Sequence, residues 1–478
     1  MNQRSDVMMP YVMSKMPDPF NISWSGDWSV CSHSWASLVG FTPEGDIEGV
    51  IAESWAHSSD LRTWRFKLRR NRRWSDGSAM TAENIIASFS ASAAGTSHSN
   101  FGNAIETIEA EGEDEIVFRL KQAVPSFLVG LSYPDWSIVH PSTFKVAGNA
   151  VQITGLTPCS GSFCIDHAIT NSENSVVGML LKRNSFFPGR FRNDLQSGAL
   201  KTYSDCNTLL ANKDTLLSFR AYSEALTSSC INALTEAGFV ISRTHPSWIL
   251  KADFTRKGLA GVPKAQRQKI QVGIQRLLSA GAVQFGVTKS TGLRPLASEG
   301  SLSLAEFKEV INRLDEKTKE VVISLPVLKI ATMDIWQDWK SLKWLMGSFE
   351  KLGVKAELTV FTRDEYAKKS SDQFLQNNFD LLFIPLGSGD PDPDSNFQIA
   401  RKYLYPSLIE ESELTKAFYE TDLGKRDQIY QSIAVHLLEE GAIIPLMNDA
   451  DFVGIHESIS ASFSPSFRHG ITLYDLAF

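Results

Sequence analysis

One stretch constrains this chain more than any other. Phe379-Asp380-Leu381-Leu382-Phe383-Ile384-Pro385-Leu386 is an apolar run that stops abruptly at Gly387-Ser388-Gly389-Asp390-Pro391-Asp392-Pro393-Asp394. A short, nearly continuous apolar run bounded by turn residues reads as a strand buried on both faces, the kind found inside an α/β sheet. Glycine and proline end it, since proline has no N–H to give a ladder and glycine favours turns. In open α/β sheets, ligands bind just past the carboxyl ends of the strands. Asp390 falls there, where a carboxylate suits a cationic group such as an amine. The same aspartates also suit a plainer role, capping the next helix or solvating a turn.

Such a sheet needs a large core to cover both faces. The chain has 478 residues, 43% of them hydrophobic, which is too long for one ordinary domain and enough for two lobes. Its formal net charge of -7 argues against nucleic acid as a partner, because phosphate contacts need clustered Lys and Arg. The local basic run from Arg62 to Arg73 alternates charges with aromatic residues and reads as a strand with one solvated basic face. No apolar run reaches the roughly 18 residues of a membrane helix. Met1 to Met16 is polar and lacks the apolar centre of an export signal, so the chain is either a mature form or cytoplasmic. Among the cysteines, Cys159 and Cys164 are close enough to pair, as are Cys206 and Cys230; free buried thiols account for them equally well.

Taken in order, the chain first suggests a helix over Val30 to Val39. In Thr63-Trp64-Arg65-Phe66-Lys67-Leu68, Trp64, Phe66 and Leu68 share one face and the cations the other, the period of a half-buried strand. Arg72-Arg73-Trp74 reads as a second short strand, and Asp76-Gly77 as a turn. Thr81 suits the N-cap of a helix, with Glu83 in its first turn. Glu115 to Leu120 alternates again. Further on, Lys329 to Met333 and Lys355 to Phe361 read as strands. A helix between them, Trp336 to Leu352, has apolar positions at Ile335, Trp339, Leu342, Met346, Phe349 and Leu352 and is capped by Gly353. A late helix is marked by Ile429, Ile433 and Leu437 and ended by Gly441, before the strand at Ile443-Ile444-Pro445-Leu446.

Four of these segments carry a resemblance. Ala52-Glu53-Ser54-Trp55, the strand ending at Leu68-Arg69, the turn Trp74-Ser75-Asp76-Gly77 and the helix start Thr81-Ala82-Glu83-Asn84 follow one another at the spacing seen in the bacterial extracellular solute-binding proteins of family 5. The chain resembles that peptide- and nickel-binding class of transporter receptors, with Asn84 where the family has Asp. Cys159-Ser160-Gly161-Ser162-Phe163 is a degraded form of the family's Gly-Thr-Gly-Pro-Tyr turn, while Leu181-Lys182-Arg183-Asn184 and Arg267-Gln268 match at lower fidelity.

The resemblance implies an α/β fold of the two-lobed, periplasmic-binding-protein-like type (type II). Lobe I is expected over 1–250 with 451–478 returning to it, lobe II over 251–450, and a hinge between the lobes. It implies a monomeric receptor that takes a short peptide or related small molecule between its lobes, outside the cytoplasm, and delivers it to an ABC transporter permease in the membrane. It implies no enzyme activity, no cofactor and no nucleic acid. The alternative is a cytoplasmic ligand-sensing protein that reuses the fold. The family's amine-binding aspartate matches Asp390, which makes Asp390, with Ser388 and Gly387 beside it, the expected ligand contacts. Two positions depart from the pattern: Gly387 replaces an aromatic residue, and Arg363 replaces the tryptophan three residues before Tyr366. An arginine there suits either a ligand carboxylate or solvent.

Other chemistries find little in the sequence. The spacing of Asp390, Asp392 and Asp394 resembles a calcium loop, but the sixth position is Ser395 and the twelfth Arg401, where that template needs Gly and Glu. No phosphate-cradling Gly-x-x-x-x-Gly-Lys, Gly-x-Ser-x-Gly elbow or His-Glu-x-x-His is present. No metal site is expected, and the tryptophans at 336, 339 and 344 suit a helix core rather than a sugar platform.

Overall fold

The computed structural model describes residues 6–9, 16–22, 25–42, 46–94, 99–148, 150–172, 176–188, 196–202, 206–222, 226–244, 248–281, 286–295, 298–387, 392–405 and 407–457. The chain divides into two compact units, one drawn from Met1–Tyr222, Leu226–Thr244 and Phe452–Phe478, the other built mainly from His245–Asp451.

The first unit holds a mixed seven-stranded sheet. Its strand order is Phe163–Thr170, Val176–Arg183, Ser197–Thr202, Asp6–Met9, Leu216–Tyr222, Asp451–His456 and Phe239–Arg243. A separate antiparallel sheet runs Ala52–His57, Thr63–Leu68, Glu115–Leu120 and Ile105–Ala110. The alternation in Thr63–Leu68 has its expected consequence: Trp64, Phe66 and Leu68 are buried. The opposite, basic face is matched by acids, Arg65 with Glu111 and Glu115 and Lys67 with Glu53.

The segments that carry the family resemblance stitch this unit together. Asp76 accepts from Ser78 N at 2.9 Å, and Gly77 has φ +86°, which glycine adopts without strain. Asn84, at the substituted position, still closes a reciprocal cap, with Asn84 N donating to Thr81 Oγ1 and Thr81 N to Asn84 Oδ1, both at 3.2 Å. Ser75 and Cys159 exchange hydrogen bonds of 2.9 and 3.1 Å, which tie the turn to the 159–164 loop. Gly161 is required in that loop, because a Cβ there would lie 2.1 Å from the His33 carbonyl oxygen.

Cys159 pairs with Cys164, and Cys206 with Cys230, while Cys31 is buried and belongs to neither bridge. The second bridge closes a loop of sequence separation 24 over a cluster of Leu209, Leu216, Phe219, Leu226, Leu234 and Phe239. Replacing Cys206 and Cys230 together by Ser is expected to cost about 3 kcal/mol, through the freedom regained by the unfolded loop. Urea unfolding of the double variant against the oxidised wild type measures it; coincident transitions would show that the bridge contributes nothing.

Some local expectations change. The first helix is Ser25–Ser34 rather than 30–39, and Val39 instead opens a short strand, Val39–Phe41, paired with Ile47–Gly49. A β-branched residue opposite a partner strand is better satisfied there than in a helix. Arg73 makes only an isolated bridge to Ala79, not a strand.

The second unit is one sheet in the order Thr288–Lys289, Ile443–Asp449, Trp248–Phe254, Leu381–Phe383, Leu328–Met333 and Ala356–Phe361. Leu328–Met333 runs parallel to both of its neighbours. The expected helix 336–352 begins later: Asp334–Trp336 is a 3₁₀ turn, Trp339 is the N-cap, and the α-helix is Lys340–Lys351. Ile335 is therefore exposed, and the buried stripe is Leu342, Leu345 and Phe349. Gly353 (φ +72°) and Gly441 (φ +60°) end their helices in the left-handed conformation.

Candidate functional site

The apolar run that opened the sequence reading is a strand in the interior of this sheet, but a broken one. Leu381, Leu382 and Phe383 are fully buried between Leu328–Met333 and Trp248–Phe254. The ladder lapses at Pro385, which has no N–H to donate, and resumes at Leu386–Gly387 against Ile249 and Trp248. Residues 388–391 lie outside the described residues, and with them Asp390 and Ser388. Gly387 is described: a Cβ on it would touch the Trp248 ring at 3.4 Å, so the neighbouring strand supplies an aromatic surface beside a position that lacks one. The Trp248 indole N–H donates to Asp451 Oδ1 at 2.8 Å. Arg363 is half-buried at the start of the Arg363–Ser371 helix, just past the carboxyl end of Ala356–Phe361. Its first-turn neighbours Asp364 and Glu365 offset the unfavourable placing of a cation at a helix N-terminus.

The chain resumes at Asp392, in a buried charge network. Arg426 donates to Asp392 Oδ1 at 2.6 Å, lies 3.3 Å from Glu299 and donates to the Ala417 carbonyl at 3.2 Å. Asp392 Oδ1 also accepts the backbone N–H of Asp394 at 2.9 Å, an Asx turn that starts the Asp394–Ile399 helix. Burial and the adjacent Asp392 charge push the Asp394 carboxyl up to about 7, opposed by the Arg426 charge and by long hydrogen bonds from Gln398 (3.5 Å) and Tyr430 (3.3 Å). Burial also raises Glu299, helped by the charges of Asp392 and Asp427 and opposed by Arg426. Gly300 (φ +78°) packs under this segment, where a Cβ would lie 3.0 Å from that of Tyr430.

A second buried cluster lies on Trp248–Phe254. Lys251 and Asp253 form an ion pair at 0% and 1% side-chain exposure. The Tyr405 hydroxyl donates to the other oxygen of Asp253, and burial with that carboxylate's charge raises the Tyr405 phenol well above its usual range. Burial raises Tyr366 in the same way, with Asp253 again adding to it, yet the Tyr366 hydroxyl has no hydrogen-bond partner among the described residues.

A surface depression of about 520 Å³ beside Lys369, Asp372 and Phe374 is walled by long solvated side chains rather than convergent polar groups. Among the described residues no group of three or more His, Cys, Asp or Glu is placed to hold a metal ion, and no helix is long and apolar enough to cross a membrane.

Residues 46–179 match the family described as bacterial extracellular solute-binding proteins, family 5 Middle. That stretch of the chain resembles the family. The probable D,D-dipeptide-binding periplasmic protein DdpA of Escherichia coli is 31% identical over 134 residues, 27% of this chain and 26% of that protein. The periplasmic oligopeptide-binding protein OppA of Salmonella typhimurium is 28% identical over 182 residues, 35% of this chain and 33% of that protein. The chain thus aligns with about a quarter to a third of the length of these curated relatives. In fold the likeness extends over the whole chain. OppA of Haemophilus influenzae, in complex with RPPGFSPFR, superposes with TM-score 0.79 at 15% identity, covering 100% of this chain and 99% of that one. The Escherichia coli murein tripeptide binding protein MppA superposes with TM-score 0.78 at 15% identity, covering 100% of each chain to within 1%.

Against the family 5 pattern, the residues that make this chain recognisable are mostly scaffold, and the buried polar groups of the second unit lie elsewhere. Sequence reasoning missed Lys251, Asp253, Tyr405, Arg426 and Glu299. The one available signal was the pair Lys251 and Asp253 inside an otherwise apolar run, Trp248-Ile249-Leu250-Lys251-Ala252-Asp253-Phe254.

Proposed function

We propose that this protein captures a short peptide or a related small molecule outside the cytoplasm and delivers it to an ABC transporter permease, acting as a monomeric binding protein and not as an enzyme. The observation that carries the reading is the buried strand Leu381–Phe383, which leads directly into the segment bearing the family's amine-binding aspartate position. Asp390 is the proposed anchor for a ligand ammonium group, Ser388 and Gly387 line it, and Arg363 is the proposed partner of a ligand carboxylate. Relatives named for dipeptides and oligopeptides support the ligand class. The two disulfides favour an oxidising compartment and speak against the alternative of a cytoplasmic ligand sensor, because the cytosol keeps thiols reduced.

The test is calorimetric titration with the dipeptide Met-Leu. Asp390→Asn keeps the shape and removes the charge. Losing one partner of a desolvated, hydrogen-bonded charge pair costs about 2–5 kcal/mol, so affinity is expected to fall roughly thirtyfold or more. Equal affinities of wild type and variant would remove Asp390 from the site.

A further inference from the structure

Asp392, where the described chain resumes after the strand-end segment, is held from outside its own loop. Arg426 lies on the Leu423–Glu439 helix with its side chain 3% exposed, and each guanidinium nitrogen has a different partner. Nε donates to the Ala417 carbonyl at 3.2 Å, one terminal nitrogen lies 3.3 Å from Glu299, and the other donates to Asp392 Oδ1 at 2.6 Å. A planar fork fixed at two of its nitrogens fixes the third, so the helix locates Asp392. The same oxygen accepts the Asp394 N–H at 2.9 Å. Behind it, Gly300 N donates to Asp427 Oδ1 at 2.6 Å, and the glycine packs under Pro393, where a Cβ would lie 3.4 Å from that of the proline.

The sequence in front of this anchor says what it is for. Asp390-Pro391-Asp392-Pro393 is a pair of Asp-Pro steps. A proline fixes its own φ and confines the residue before it, so few torsions are free between Asp390 and Asp392. Pro393 has the value its ring demands, φ −67°. On the other side, Gly387 is fixed by its pairing with Trp248. Residues 388–391 join these two anchors. We propose that Asp392 and Arg426 are positioning residues for ligand capture: they set the place of the Asp390 carboxylate and do not themselves touch the ligand. This rests on the reading of Asp390 given above and adds how its carboxylate is placed before the ligand arrives. A carboxylate set in advance binds more tightly than a mobile one, because ordering it is no longer part of binding.

The test is calorimetric titration with Met-Leu and with N-acetyl-Met-Leu, which lacks the ammonium group. Asp392→Ala removes both the Arg426 contact and the turn. It is expected to weaken Met-Leu binding roughly tenfold, the scale of leaving one backbone residue to be ordered on binding, and to leave N-acetyl-Met-Leu nearly unaffected. Asp392→Asn keeps an oxygen for Arg426 and for the Asp394 N–H, and should restore most of the affinity. Asp392→Ser is too short to reach Arg426; it should lose affinity as Ala does, and replaces that variant if Ala does not fold. In an Asp390→Asn background, Asp392→Ala should cost nothing further, since no charge is left to place. Met-Leu affinities unchanged in the Ala and Ser variants, with Asp390→Asn still weakened, overturn the positioning role and leave Asp390 in the site. Equal losses for the two peptides, or a full further loss in the Asp390→Asn background, assign Asp392 to the fold alone and overturn it too. Asp390→Asn binding as the wild type does, or a wild type that binds neither peptide, overturns both readings.

Discussion

A Lys251→Met protein is expected to be about 3–5 kcal/mol less stable than the wild type, the usual result of stripping one partner from a fully buried ion pair. The size follows from what is left behind. Asp253 is 1% exposed, lies on a strand paired on both sides, and among the described residues would keep only the Tyr405 hydroxyl as a side-chain donor. A lone carboxylate in that position is strongly penalised by its loss of water. The pair is not thereby a large net stabiliser, because desolvating both ions offsets most of their attraction. Lys251→Met combined with Asp253→Asn should therefore recover most of the loss: the amide still accepts from Tyr405, and no unpaired charge remains. Urea unfolding of the two variants measures both halves of the argument. A double variant as unstable as the single one would mean that the ammonium itself, rather than the orphaned carboxylate, sets the cost.

That pair also marks where sequence reading stops. Alternation in Thr63–Leu68 was decisive because one face is buried and the other is not, and the pattern repeats within six residues. The apolar run at 381–386 announced an interior strand for the same local reason, and Pro385 announced its break. Lys251 and Asp253, two residues apart, look instead like the wet face of a strand. They are buried because their strand is paired on both sides by segments more than a hundred positions later and Tyr405 bonds to Asp253, and no window of sequence contains that information. Arg426 poses the same difficulty: within Lys425-Arg426-Asp427 it resembles any helix surface, and only the return of Asp392 and Glu299 to it makes it a buried hub. The misjudged helix at 30–39 has a related cause, since Val39 takes its strand partner from Gly49. The candidate site was legible as a place, the end of a buried strand, while its chemistry depends on contacts that only the fold brings together.

Two buried titratable groups should give the units opposite responses to pH. His33, in the first unit, is fully buried, and burial lowers it to about 4, with the Ser29 carbonyl acting in the opposite sense through a 2.6 Å hydrogen bond. Its native form binds fewer protons than the unfolded chain between pH 4 and its ordinary value of 6.5. The stability it contributes is complete above that value and lost as the pH falls toward 4. Asp394, in the second unit, stands at about 7 instead of 3.8, with Asp392, Arg426 and Tyr430 as its charged or titratable neighbours. Its native form binds more protons across that interval, so its contribution is complete in acid and lost as the pH rises through 7. Each effect changes the unfolding free energy by about 1.4 kcal/mol per pH unit inside its window. The comparison that isolates them is urea unfolding across pH 4 to 8 of wild type, His33→Asn and Asp394→Asn. The stability of wild type relative to His33→Asn should climb with pH up to about 6.5, and relative to Asp394→Asn it should decline up to about 7, for a total on the order of 3–4 kcal/mol in each case. Profiles that stay parallel would show that neither group changes its proton affinity on folding.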